Sequence, residues 1–354
     1  MSKKLSISLI IIVIILSGLW IWTLAIPKGA IMLGGSTSVN PIMQSLTSEY
    51  KRDKNLEFIY NSTGSRAGVV GVTSNIYSAG FISKETDNST LSGTSAEWSG
   101  SGKVTDEYII TKTLNSVNIL PGYYSFQFGI DALILFYNQP NGWNDRLSDA
   151  LNFELTGDAL PDALQTDILK NIYDASYNWK KLANDLYVMQ QKSPPLTPPI
   201  TEEDVNNVQA TSILPISRED GSGTRDAFSS LTGVTEVTNA NIVSSNGQML
   251  SQIKSNVGSF GYISYAFISS IRDNLKMASI EGERLDPDDL QHNKNIIETA
   301  DYKLQRPFTA LFEPETKNFA KLRDFFVWLM SDDSANESFV NEGIIKKFIL
   351  TGRP

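Results

Sequence analysis

Short apolar runs alternate with stretches of helical period along most of the chain, and Gly/Ser/Thr turns mark the junctions. Residues 30–33 (Ala-Ile-Met-Leu) read as a strand ending in Gly34-Gly35. Asn40-Pro41 then opens a helix to about Arg52, because proline's fixed φ and missing N–H suit the first helical turn. Residues 56–60 give a second strand, Gly64-Ser65 a turn, and an apolar helix begins near Ala67. Residues 78–83 form a third, short strand, and residues 86–118, rich in Ser, Thr, Gly and Asn, read as an insertion or surface loop.

The second half continues the alternation. Residues 131–137 (Asp-Ala-Leu-Ile-Leu-Phe-Tyr) are a strand of the buried kind, ending at Asn138. A helical pattern over 164–186 is interrupted near Ala175-Ser176, and four prolines between 192 and 200 make a loop. Residues 214–217 form a strand that delivers Arg218, and residues 258–264 form another strand with its turn. Phe319, Leu322, Phe326 and Leu329 recur at helical spacing with Phe325 beside them, a core-packing stripe. Strands alternating with helices predict an α/β fold with a largely parallel sheet.

Composition narrows the chemistry. Hydrophobic residues at 41% and charged residues at 19% are globular values, and 354 residues make one large or two medium domains. A net charge of −9, with no Lys/Arg run outside the N-terminus, argues against a nucleic-acid partner. Cysteine is absent, which excludes disulfides, thiol nucleophiles, iron–sulfur sites and lipidation of an N-terminal cysteine. His292 is the only histidine and lies in a polar stretch, so a His-based zinc site or a Ser-His-Asp triad has little to work with. No metal and no cofactor is expected.

Lys3 and Lys4 precede an almost wholly apolar run over residues 5–26, long enough to span a bilayer. The flanking lysines would stay inside and send the body outside. A cleavable signal with Thr23 and Ala25 as its small-x-small site is the alternative. The length of the run, with Trp20 and Trp22 suited to the interface, favours an uncleaved anchor. Either way the body is expected to be extracytoplasmic.

Three segments share one logic of strand, Gly/Ser/Thr turn, then helix: residues 34–39 (Gly-Gly-Ser-Thr-Ser-Val), 62–68 (Ser-Thr-Gly-Ser-Arg-Ala-Gly) and 218–225 (Arg-Glu-Asp-Gly-Ser-Gly-Thr-Arg). Each alone could be a capping turn, since Ser and Thr are good N-caps. Such turns gather at the carboxyl ends of sheet strands, where ligands bind. Hydroxyls and exposed helix N–H groups suit an anion, glycine admits close backbone approach, and Arg218 adds a forked donor. Together they predict an anion site.

The chain resembles the phosphate-binding proteins of bacterial high-affinity phosphate ABC transporters, the Pst type. Gly-Ser-Thr-Ser-Val at 35–39, Gly64-Ser65 and Arg218-x-Asp220-Gly221-Ser222-Gly223-Thr224 match that family's phosphate loops in order. The stretches at 131–140, 178–180, 258–262 and 305–308 are similar too. The resemblance implies a two-lobed periplasmic-binding-protein-like fold (type II), each lobe a mixed, mostly parallel sheet flanked by helices, behind an N-terminal transmembrane helix or signal. Residues 1–28 would be the anchor or signal, 29–124 and 272–354 lobe I, and 125–271 lobe II. Segments 122–129 and 266–273 are the hinge candidates.

By the same resemblance, phosphate would meet Ser38, Val39 and Ser65 on one lobe and Arg218, Ser222, Gly223 and Thr224 on the other, with Thr37 as a further candidate. Asp220 would hold Arg218 by an ion pair or serve only as a turn residue, and Arg225 is open between a supporting contact and solvent. The family carries an aspartate, two residues before the glycine of its third strand, that accepts the proton of phosphate. Ser78 stands there in this chain, which implies weaker exclusion of sulfate. The implied partners are inorganic phosphate, with sulfate as a second anion, and membrane permease subunits with a cytoplasmic ATPase; the chain itself would be a monomer and no enzyme. A P-loop ATPase fails on its central lysine, and a serine hydrolase at Ser65 or Ser222 lacks the Gly-x-Ser-x-Gly elbow. A surface anion sensor or adhesin that keeps the fold without transport is the other reading.

Overall fold

In chain order the strands are β1 (Ile31–Gly35), β2 (Phe58–Ser62), β3 (Ala79–Ile82), β4 (Lys103–Val104), β5 (Tyr124–Asn138), β6 (Asn152–Phe153), β7 (Leu214–Arg218), β8 (Asn241–Val243), β9 (Ser259–Ser264), β10 (Leu275–Met277), β11 (Ser279–Ile280), β12 (Gln305–Phe312) and β13 (Ile345–Thr351). These come from a computed structural model that describes residues 30–155, 164, 166–192 and 199–354. The expected anchor at 1–28 and most of the proline-rich loop lie outside the described residues. Among the described residues, no helix is long and apolar enough to cross a membrane.

The main sheet runs β2-β1-β3-β12-β5-β9-β7-β8. It is mixed. β1 pairs in parallel with β2 and β3, and β7 pairs in parallel with β8 and β9. These parallel flanks follow from helical crossovers, such as Asn40–Lys54 between β1 and β2 and Ser65–Thr73 between β2 and β3. In the centre, β12 is antiparallel to both β3 and β5.

The fifteen residues of β5 explain its reach, because at about 3.3 Å per residue the strand extends roughly 50 Å. All but Gln127 and Ile130 are buried, as a strand covered on both faces requires. Its first half pairs with β12 and β13, and its second half with β9 and β10. One strand therefore serves two cores. The first gathers residues between Ile31 and Phe128 with others between Phe308 and Leu350, and the second gathers Ala132 to Leu304, joined by Ile345; Val69, Val72, Ile82, Leu91, Tyr123 and Leu311 form a smaller cluster of their own.

The chain passes between the cores twice, within β5 at residues 129–131 and at residues 305–307 of β12. The first passage adjoins the predicted hinge segment 122–129. The second falls some thirty residues beyond 266–273, because Leu275, Met277, Ile280, Leu285, Ile297 and Leu304 pack into the second core. Residues 275–304, grouped by the sequence with the first lobe, thus lie with the second core. The stretch 86–118 also carries more order than a surface loop. It holds β4, paired with β13, and a helix at Glu107–Leu114 that is capped by the Asp106 carboxylate and buries Ile110 and Leu114.

Aromatic contacts fill both cores. Tyr50, Phe58, Phe325 and Trp328 meet with ring centroids 4.8–5.9 Å apart, and Phe228 stacks on Tyr262 at 4.0 Å. Such pairs add about 0.5–1.5 kcal/mol each beyond their buried area. The stripe on helix Phe319–Ser331 therefore anchors the first core. Phe325→Ala should cost about 3–5 kcal/mol in chemical denaturation. Tyr108→Ala, at a side chain 76% exposed, should stay within about 0.5 kcal/mol of wild type.

Candidate anion-binding site

β1, β2 and β3 run in the same direction, so the turns after them open on one edge of the sheet. Gly35 sits at φ 141°, and a Cβ there would lie 2.1 Å from the Phe81 carbonyl oxygen. Only glycine fits. Its carbonyl accepts the N–H groups of Thr63 and Gly64 at 2.9 and 2.8 Å, tying the second turn to the first. Ser36 donates its N–H to Phe81 and its hydroxyl to Ser83 Oγ at 2.8 Å, while Tyr60 donates its hydroxyl to the Ser36 carbonyl at 2.7 Å. Burial pushes the Tyr60 hydroxyl well above its ordinary range, which keeps it a donor.

The opposing side comes from β7 and the helix at Gly223–Thr232. β7 ends in Arg218, whose N–H donates to the Tyr262 hydroxyl at 3.2 Å. Ser222 caps the helix by accepting the Arg225 N–H. A Cβ on Gly223 would sit 2.2 Å from Ser65 Oγ and 2.7 Å from Ser83 Oγ, so the two sides touch here and leave no space for a side chain. Arg66 also donates its N–H to the Gly221 carbonyl at 3.0 Å, and Lys84 pairs with Asp226 at 2.8 Å. Near these contacts Ser65, Arg66, Lys84, Gly221 and Asp226 line a cavity of about 70 Å³.

Arg218 is fully buried. Its guanidinium forks onto Glu219 at 3.0 and 2.9 Å, and it donates to Thr37 Oγ1 at 3.1 Å, Asn246 Oδ1 at 3.1 Å and Thr224 Oγ1 at 3.4 Å. At the centre lies Ser38 Oγ, which receives Asn246 Nδ2 at 2.9 Å and Arg306 Nη2 at 2.8 Å. With both lone pairs taken, its own proton goes to Thr224 Oγ1 at 2.8 Å. Hydroxyls from the two cores therefore bond directly.

Behind Ser38 stands a buried ion pair. Arg306 donates through Nε and Nη2 to Asp131 Oδ2 at 2.9 and 2.7 Å, and Asp131 also accepts the Ser264 hydroxyl and the Tyr265 N–H. Burial pushes the Asp131 carboxyl up, and the Arg306 charge and the Ser264 hydroxyl pull it back. Arginine stays charged in proteins, so the pair works as a fixed dipole against the site.

Most of the residues singled out from the sequence meet here. Thr37, Ser38, Ser65, Arg218, Ser222, Gly223 and Thr224 are buried together, and Ser65 Oγ accepts the Ser83 N–H at 3.3 Å. Val39 lies alongside, with its side chain in the first core and its N–H in a turn bond to the Ser36 carbonyl at 3.2 Å. Two expectations are corrected. Asp220 does not hold Arg218: its side chain is 95% exposed and pairs with Arg225, while Glu219, one residue nearer, has the reach to grip the guanidinium. Ser78 precedes β3 and accepts from Asn318 at 3.0 Å, at the amino end of a strand whose carboxyl end faces the site. Ser83, just past β3, is the residue that faces it. Arg306, Asp131, Asn246, Glu219, Ser36 and Ser83 escaped the sequence reading; an arginine and an aspartate inside apolar strands were the available signal for two of them.

Residues 25–333 match a family model described as the PBP superfamily domain. Over 122 residues, 32% of the chain, the sequence is 30% identical to the phosphate-binding protein PstS 2 of Streptococcus pneumoniae, and the match spans 38% of that relative. The protein of the same name from Streptococcus agalactiae is 28% identical over 129 residues, 33% of this chain and 40% of that one. The fold superposes on a phosphate-bound substrate-binding protein assigned to a phosphate ABC transporter of Clostridium perfringens, with a TM-score of 0.60 and 21% identity, covering 90% of this chain and 99% of that one. An ABC-type phosphate transport receptor from Vibrio cholerae gives 0.55 and 22%, over 89% and 99%. At such identities these structures bear on the fold, which is the mixed α/β fold of periplasmic-binding-protein-like structures. Because the family match takes in most of the sequence, the chain belongs to the PBP superfamily.

Proposed function

We propose that this protein is an extracytoplasmic solute-binding protein that captures inorganic phosphate between two lobes and delivers it to an ABC permease powered by a cytoplasmic ATPase. The observation that carries the reading is the buried network around Ser38, where hydroxyls, an amide and two guanidiniums from both cores converge. These are the donors a tetrahedral oxyanion needs, and relatives named for phosphate binding share the fold. We divide the lobes where the cores divide, with residues 130–304 as one lobe and the remainder of the body as the other. A ligand touching both would favour the closed arrangement by its differential affinity. The N-terminal apolar run would hold the protein, a monomer, at the outer membrane face. No chemical step on phosphate is assigned: His292 contacts the Arg284 carbonyl, away from Ser65 and Ser222.

Calorimetric titration with phosphate tests the binding half. Arg218→Ala should weaken binding by about 30-fold or more, the loss of a buried charged donor at about 2 kcal/mol or above, with circular dichroism unchanged. Wild-type affinity in that variant would remove Arg218 from the site. Glu219→Gln should weaken phosphate about tenfold by freeing the guanidinium, whereas Asp220→Ala should change it by less than about twofold. Uptake of labelled phosphate by cells lacking the gene, with and without the restored chain, tests delivery. Equal uptake in both would favour a surface sensor over a transporter component.

A further inference from the structure

Away from Ser38, the two cores leave a cavity of about 460 Å³ between them. The second core supplies Tyr265 and the helix at Leu290–Glu298. The first supplies the helix at Asp333–Asn341 and the chain that leads from it into β13. The floor is apolar, since Tyr265, Phe339 and Ile344 are almost fully buried. Gly343 brings the cores together there: it sits at φ 68°, and a Cβ on it would lie 2.6 Å from the Tyr265 ring. The rim is apolar as well. Leu290 from one core and Val340 from the other line the cavity while exposed to solvent, a cost that an apolar occupant would remove.

One cation in the wall is unmatched. Lys294 is paired with Glu298 at 3.6 Å, one turn along its own helix. Lys346 is half-buried, and its ammonium donates to the Met330 carbonyl at 3.3 Å and to Asn336 Oδ1. Both acceptors are neutral, and an ammonium has three N–H donors, so one is left over. The rings of Phe339 and Phe348 lie 5.3 Å from it and add only their faces. Among the described residues no carboxylate pairs with Lys346, and Glu107 and Asp333 act on it only at a distance. Burial accordingly pushes this ammonium down. A charge in such a place gains from an anion brought to it.

We propose that this cavity is a second ligand site, independent of what binds at Ser38, for a small organic anion with an apolar body and one anionic group that pairs with Lys346. Its volume falls in the range of small-molecule sites, about 300–1,000 Å³. A single turn of helix, about 5.4 Å long and about 10 Å across, already fills roughly 420 Å³, so a protein segment would need more room. Inorganic phosphate has no apolar surface to set against Tyr265, Phe339 and Ile344. A neutral molecule would leave the ammonium unpaired, and a cation would be repelled by it. The ligand therefore needs both parts, an apolar body for the floor and a charge for Lys346.

Titrating the full chain in lipid nanodiscs with phenylbutyrate tests this, with empty discs subtracted and phosphate present throughout to occupy the Ser38 site. The probe carries a ring, a short chain and one carboxylate, and phenylbutanol is its neutral counterpart. The acid should bind at about millimolar concentration or tighter, and at least about tenfold more tightly than the alcohol. Lys346→Met should erase that preference, and Lys346→Arg should keep it. Leu290→Glu puts a carboxylate on the rim at an exposed position, and should weaken the acid about fivefold more than the alcohol. It carries the test if Lys346→Met fails to fold. Equal binding of acid and alcohol to the wild type overturns the proposal. So does an acid whose binding neither variant changes, because it then sits elsewhere, and so does no binding at about ten millimolar.

Discussion

The contact between Asp131 and Arg306 organises the molecule. The two residues face each other in the register of β5 and β12, the two strands that pass from one core to the other. Asp131 reaches forward to Ser264 and Tyr265 at the end of β9, and Arg306 reaches back to Ser38 and Ser83. Removing either partner would leave a charge buried with no counter-charge, a penalty of about 3–5 kcal/mol. The pair therefore holds the crossing, orients the second guanidinium and fixes Ser38 in a single step. The loops on either side inherit their geometry from it.

Much of the site was legible because its parts are local. A strand that ends in Gly-Gly or in Arg, followed by hydroxyl residues and a helix, needs no distant information to be read as a turn at a sheet edge. What stayed hidden is what depends on pairing across the chain. Arg306 lies 268 residues from the Ser38 it contacts, and Asn246 lies 208 residues from it. No spacing rule joins such positions. Ser78 and Ser83 bracket the same short strand, and only the direction of the parallel sheet tells which one lies at the edge where the three turns gather.

Asp220 shows the limit in another form. An acidic residue two places beyond an arginine suggests a pair, but the turn carries Asp220 outward, and the adjacent Glu219 bends back along the guanidinium. The α/β class and the parallel flanks were readable from alternation, since strand–helix–strand crossovers impose them, whereas the antiparallel centre was not. The partition into two cores was less so. Residues 275–304 include two short strands and a helix of ordinary pattern, and nothing in that pattern states which core they join.

Consider finally how narrow the bridge between the cores is. Among the described residues, β12 is the only ladder partner of β5 at Asp131 and Ala132: β13 has left at Ile130, and β9 joins at Leu133. Two-stranded ribbons accept more twist than broad sheets. This one also carries a register shift at Phe308/Thr309, just inside the first core. It thus has the form of a torsion spring rather than a loose tether. Rotation of one core against the other would be stored as ribbon twist and returned on release, and sideways sliding would be resisted by backbone hydrogen bonds along both strands.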